Sequence, residues 1–198
     1  MVDSFITVKF KLEKFIKKYY VNELIRGLIL FAAIGLLYFL FTLLIEYILW
    51  LRPVARTLLF WVFVIVEASL FIKLIVSPAF KLLKLKRGLN YLDASRIVGE
   101  FFPEVNDKLI NVIQLHNSKE RSELLLASIQ QKSLELKPVP FSIAVDFSHN
   151  IKYLKYLAIP VLIVILSFIS GQMNWFSDSY NRVINYQTAY APPAPFSF

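Results

Sequence analysis

GLILFAAIGLLYFLFTLLI, residues 27–45, is the stretch whose reading decides the fold, because it holds nineteen residues without a single charge. Wound as a helix at ~1.5 Å per residue it measures about 28 Å, the thickness of a bilayer's hydrocarbon layer. A soluble helix or strand of that length would show one polar side, and this stretch has none. It predicts a transmembrane helix. After Glu46 a short apolar tail reaches Trp50 and Leu51, and Arg52, Pro53 and Arg56 mark a tight turn. A second apolar run then extends from Leu58 to Val76, interrupted by Glu67 and Lys73. Residues 27–76 therefore read as an antiparallel membrane hairpin.

Composition agrees. Of 198 residues 57% are hydrophobic and 18% charged, with 18 Phe, 10 Tyr and 3 Trp, values of the membrane class. The net charge of +8 raises nucleic acid as a partner, but the basic residues crowd beside apolar spans instead of forming a separate basic domain. The positive-inside rule accounts for that placement, and no nucleic-acid partner is expected. With no cysteine, disulfides, thiolate catalysis and Cys-based metal sites are excluded. The first apolar run starts too late and is too long for a signal peptide.

Toward the N-terminus, SFITVKFKLEKFIKKYY (residues 4–20) repeats Phe5, Val8, Leu12, Phe15, Ile16 and Tyr19 at three- and four-residue intervals, with Lys9, Lys11, Lys14, Lys17 and Lys18 between them. Residues 1–26 are thus expected to form an amphipathic basic helix, with the chain turning into the membrane near Arg26. Its apolar stripe either lies on an anionic inner leaflet or packs on the protein's own polar portion.

Toward the C-terminus, a third span is expected from Tyr156 to about Asn174, with Pro160 in its first turns, Lys152 and Lys155 on one flank, and Trp175, Phe176 and Tyr180 as aromatic anchors on the other. Lys and Arg number six in residues 1–26, two at 52–56, eleven in 77–152 and one, Arg182, after Gln172. That bias predicts a cytoplasmic N-terminus, a cytoplasmic segment over 77–152 and a periplasmic C-terminus. The segment reads as three short helices, Tyr91–Phe102 ending at Pro103, Glu104–His116 and Ser118–Leu136, with Asn117 and Ser118 at the last break. The fold class expected is all-α membrane protein, with three transmembrane helices, the N-terminal amphipathic helix and a small cytoplasmic helical bundle. Residues 153–174 would form the third span and 175–198 a periplasmic exit ending in the Pro-rich connector APPAPFSF, after which a larger extracytoplasmic region is expected.

Few residues carry candidate chemistry. Glu67 lies near the bilayer midplane, where an ionisable side chain costs at least about 2.5 kcal/mol unless it is protonated, paired or facing water. It reads either as an intramembrane helix contact or as a proton or ion relay. Lys73 sits six residues on, on another helix face, and snorkels toward the interface. Glu46 and Arg52 fall near the outer interface and require nothing further. Gly27, Ala32, Ala33 and Gly35 in the first span, and Ser167, Ser170 and Gly171 in the third, would let helices approach closely, within the chain or between copies. His116 and His149 lack metal-ligand neighbours, no phosphate-cradling, nucleophile-elbow or zinc motif occurs, and neither cofactor, metal nor catalytic residue is expected.

Six stretches resemble a family of large inner-membrane proteins, found especially in Bacteroidota and known as a domain of unknown function. They are FIKKYYVNELIRGLIL (15–30), the basic end of the second span, ASRIVGEFFPEVNDKLINVIQL (94–115), ELLLASIQQKSLELKPVPF (123–141), KYLKYLAIPVLIV (152–164) and APPAPFSF (191–198). The resemblance implies an N-terminal three-span module followed by a long periplasmic part. Phe102, Pro103, Glu104, Asp107, Leu109 and Asn111, in the most distinctive stretch, are candidate contacts for a cytoplasmic partner. The function expected is an anchor or assembly subunit of a cell-envelope complex, meeting other envelope membrane proteins or further copies of itself, without catalysis in this region. The alternative is a transport or energy-coupling subunit that uses Glu67.

Overall fold

A computed structural model describes residues 3–118, 122–171 and 173–191. Among these the regular structure is entirely helical: α1 (Asp3–Leu49), α2 (Pro53–Phe71), α3 (Ser77–Leu82), α4 (Tyr91–Phe101), α5 (Asn106–Asn117), α6 (Glu123–Leu136), α7 (Ile151–Ile169) and α8 (Asn174–Ile184). A π-helical stretch, Ile72–Val76, joins α2 to α3, and short 3-10 turns occupy Pro103–Val105, Phe141–Ala144 and Ser148–Asn150. Three helical stretches are long and apolar enough to cross a membrane: Ser4–Leu49, Pro53–Leu82 and Phe141–Ile169. The Pro-rich connector lies outside the described residues apart from Ala191.

The expected turn near Arg26 is absent, since α1 continues unbroken for 47 residues. No proline falls between Asp3 and Arg52, and the two interior glycines, Gly27 and Gly35, cost only about 1 kcal/mol each. The amphipathic helix and the first span are therefore one element.

The chain folds as two compact units, Met1–Leu24 with Pro78–His149, and Ile25–Ser77 with Asn150–Phe198. The first is a helical bundle with a core of its own. Val8, Leu12 and Phe15 from α1 are fully buried together with Ala94 and Val98 of α4, Leu109 and Val112 of α5, Leu136 of α6, and Phe141. The stripe of α1 is thus covered by protein, which replaces the reading in which it lies on a leaflet. Asn90 caps α4, accepting from the Asp93 N–H at 2.7 Å, and Pro103 ends the helix because its ring disfavours a helical Phe102. Ser118 does not start α6. Its hydroxyl donates to the Leu115 carbonyl at 2.8 Å and closes α5, while Ser122 caps α6 by accepting from the Leu125 N–H at 3.3 Å.

The second unit is built the other way round. Arg56 is the sole buried residue of α2 and Pro160 that of α7, although both helices are almost wholly apolar. Leu58, Ile65, Leu162, Phe168 and Ile169 all face outward. α7 ends at Ile169, earlier than expected, because Gly171 takes a left-handed backbone (φ +68°) that only glycine enters without strain. Since α7 begins at Ile151, Pro160 falls in its interior and leaves the Tyr156 carbonyl without its usual donor, contrary to the first-turn placement. Beyond it comes α8 (Asn174–Ile184), a helix that the reading of residues 175–198 as an exit did not include.

Candidate functional site

The most elaborate polar constellation lies inside the apolar unit. The Glu46 side chain, on the last turn of α1, is fully buried. Its Oε1 accepts from Arg56 Nε at 3.0 Å and from Arg182 Nε at 3.2 Å, with Arg56 Nη2 at 2.9 Å. Arg56, buried to 1% exposure, donates its remaining N–H groups to the carbonyls of Thr188 and Leu51, both at 2.7 Å. Arg182 reaches Ser179 Oγ at 3.3 Å, and its guanidinium stacks 4.0 Å over the Trp50 ring. Trp50 holds a left-handed backbone (φ 44°), a conformation costing a bulky residue about 1–2 kcal/mol. That turn both ends α1 and sets the ring against Arg182. The two guanidiniums share Glu46 Oε1, while Oε2 is buried with no hydrogen-bond partner among the described residues, and the cluster ties together the ends of α1, α2 and α8.

This cluster corrects the reading of Glu46 as an interface residue in need of no partner. A signal for it was present. Arg182 is the single basic residue after Gln172, and Trp175, Phe176, Ser179, Tyr180 and Val183 recur at helical spacing. The hydropathy of the tail was too low to draw attention to α8.

Glu67 lies in α2, its carboxyl against Gly35 of α1. A methyl group added at Gly35 would stand 2.9 Å from Glu67 Oε2. Glu67 Oε1 is buried with no hydrogen-bond partner among the described residues. Small residues thus do permit close approach within the chain, and Gly27 shows it most sharply: a Cβ there would fall 2.0 Å from the Leu74 carbonyl oxygen. That carbonyl belongs to the π-helical stretch four residues before Pro78, which has no N–H to offer it.

The five lysines assigned to a membrane-facing surface separate. Lys11 donates to the carbonyls of Lys137 and Val139, the latter at 2.9 Å. Burial first, and the Lys137 ammonium second, hold its pKa below the usual lysine range. Lys18 donates to the Ser142 carbonyl at 2.7 Å and lies over the Phe147 ring. Lys9 stands 5.6 Å over Tyr91. Only Lys14 and Lys17 stay exposed without such contacts, in the lining of a cavity of about 510 Å³. Lys11 and Lys18 therefore serve the fold of the bundle, because their ammonium groups reach the Lys137 and Val139 carbonyls and, beside the Val145 N–H, the Ser142 carbonyl.

The six candidate contact residues divide likewise. Pro103, Glu104, Asp107 and Asn111 are exposed, with three- and four-residue spacing between the last three. Phe102 packs against the core and Leu109 is fully buried within it, so Leu109 is no surface contact. His116 stacks on Phe5 with ring centroids 3.9 Å apart, and no group of three or more metal-ligating side chains is assembled among the described residues.

The chain matches no protein-family model, no curated protein and no solved structure.

Proposed function

We propose that the chain is an anchor and assembly subunit of a cell-envelope complex in a bacterial inner membrane, acting by recruitment and not by catalysis. The observation that carries this reading is the inverted burial of the two units. The bundle closes an apolar core of its own, although Leu124, Phe10 and Leu85 stay exposed on it, whereas α2 and α7 bury one residue each and turn aliphatic side chains outward along their whole length. In water each such aliphatic side chain forgoes about 1.5–3 kcal/mol of burial, and lipid removes that penalty.

The distribution of Lys and Arg supports a cytoplasmic N-terminus and bundle and a periplasmic C-terminus. The anionic inner leaflet is then the partner of the basic residues, in place of nucleic acid. The resemblance to the Bacteroidota family points to the same compartment. Glu104, Asp107 and Asn111, exposed beside Pro103, form the face offered to a partner.

The test is purification of the protein in mild detergent with mass spectrometry of the eluate, beside the Glu104→Ala/Asp107→Ala/Asn111→Ala variant. A protein co-purifying in fixed ratio with the parent chain and lost from the variant is the expected result. Purification of both as the same lone chain contradicts recruitment through this face.

A second reading has one observation in its favour, the buried and unpartnered Glu67 Oε1. In a transport or energy-coupling subunit this carboxylate would titrate as protons or ions cross. Glu67→Gln in proteoliposomes separates the readings: loss of a measured flux with assembly intact supports transport, and an unchanged flux excludes Glu67 from it.

A further inference from the structure

The bundle carries a cavity of about 510 Å³ whose chemistry is unusual for a polar surface. Its lining combines the apolar side chains of Phe10, Ile16 and Leu82 with the ammonium groups of Lys14, Lys17, Lys81 and Lys84. The single acid in its lining, Glu13, is already engaged, because its Oε1 accepts from the Tyr91 hydroxyl at 2.6 Å. Lys81 lies 5.9 Å from the Tyr20 ring centroid, and the other three lysines have no ion pair or hydrogen bond among the described residues.

Backbone geometry fixes one of these lysines. Lys84 is held in the left-handed region (φ 59°), where a glycine would be the ordinary choice. The turn it makes returns the N–H groups of Leu85 and Lys86 to the Phe80 carbonyl, at 2.9 and 3.3 Å. A side chain is thus retained at a position that disfavours one, and that side chain is a cation in the lining of the cavity. Around it Phe10, Leu83 and Leu85 are 65–71% exposed.

We infer that this cavity binds one molecule of an acidic phospholipid, with the phosphate among the four ammonium groups and the acyl chains along Phe10, Ile16 and Leu82. Charge complementarity selects an anion, and the apolar part of the lining selects an amphiphile over a free phosphate. Lys81 and Lys84 follow Val76, the last residue of the second apolar run, by five and eight residues. They stand where a headgroup would lie if that run spans the bilayer, so the inference rests on the membrane reading proposed above. It goes beyond that reading by assigning a discrete site with a stoichiometry, in place of a diffuse attraction between basic residues and a leaflet.

Native mass spectrometry of the detergent-purified full chain with added phosphatidylglycerol or phosphatidylcholine tests the site. One phosphatidylglycerol should be retained per chain, about tenfold over phosphatidylcholine, and a millimolar excess of glycerol 3-phosphate should not displace it. Lys14→Gln/Lys17→Gln/Lys81→Gln/Lys84→Gln should abolish the preference. The charge-matched variant Lys86→Gln/Arg87→Gln/Lys152→Gln/Lys155→Gln should retain it. Phe10→Ser, which alters an exposed side chain and no charge, should weaken retention of phosphatidylglycerol while helical content is unchanged. Equal loss in the two charge variants, equal retention of both lipids, or displacement by glycerol 3-phosphate would overturn the site. Alkaline carbonate extraction of the same proteins keeps the two proposals apart. A chain that stays in the membrane but shows no lipid preference loses only the site, whereas a chain released by carbonate loses the anchor reading as well.

Discussion

Leu109 in the bundle and Ile65 in the apolar unit are both aliphatic residues on helices, yet the first is fully buried and the second 62% exposed. For charged groups the order reverses: Lys108 and Glu135 pair on the bundle's surface at 2.6 Å, while Glu46 and Arg56 pair inside the apolar unit at 2.9 Å. The surface pair is half exposed and screened, and contributes about 0–1 kcal/mol. The buried group has no water to fall back on, so each member depends on the others. Leu124 stays exposed on the bundle and Leu43 is buried in the apolar unit, so the inversion is one of balance, and it fits burial that follows the solvent proposed for each unit. In water the apolar group goes in, and in lipid the polar group does.

The hardest blow to that contrast should come from Glu46→Ala, which strands two buried guanidiniums and is expected to lower stability by about 3–5 kcal/mol. Denaturation in mixed micelles reads the loss, and Glu46→Leu/Arg56→Met/Arg182→Met should recover most of it by removing every stranded charge. Next comes Leu109→Ala, expected to lose about 3 kcal/mol as a cavity opens in the bundle core. Gly27→Val should cost about 1–3 kcal/mol, because its side chain must displace the Leu74 carbonyl in the apolar unit. A smaller effect belongs to Tyr91. Desolvation, and then the hydrogen bond to Glu13, push its hydroxyl pKa up from 10.0 to about 12, so the neutral phenol is favoured in the folded bundle. Its contribution is present below pH 10 and lost as pH rises toward about 12, and Tyr91→Phe should flatten that part of the alkaline stability profile. Smallest of all should be Ile65→Ala, within about 0.5 kcal/mol in the same micelle assay. A loss there as large as that of Leu109→Ala would show that α2 packs against protein and would break the contrast.

What could be read beforehand followed from strong, local signals. The uncharged run at 27–45 and the second apolar run needed only length and hydropathy, and Pro103 ended α4 by sterics alone. The unbroken passage of α1 through Arg26 was not legible, because a change from amphipathic to apolar composition resembles a boundary even where the backbone needs none. The ion cluster escaped for another reason. Glu46, Arg56 and Arg182 are separated by 10 and 126 residues, and the helical spacing around Arg182 indicates a helix without indicating which acid it meets. Lys11 and Lys18 looked like a cationic surface face because periodicity cannot foresee the carbonyls that a distant segment, Lys137 to Ser142, presents to them.

Nitroxide accessibility in liposomes tests the inversion most directly, and the chain's lack of cysteine means that single-cysteine variants need no prior substitutions. Labels at Ile65→Cys and Leu162→Cys should collide with oxygen dissolved in lipid and be shielded from a water-soluble nickel chelate. A label at Gln131→Cys, on the exposed side of α6, should show the opposite preference. Chelate access at Ile65 and Leu162 equal to that at Gln131 would contradict the account, since the outward aliphatic face of the second unit would then be meeting water.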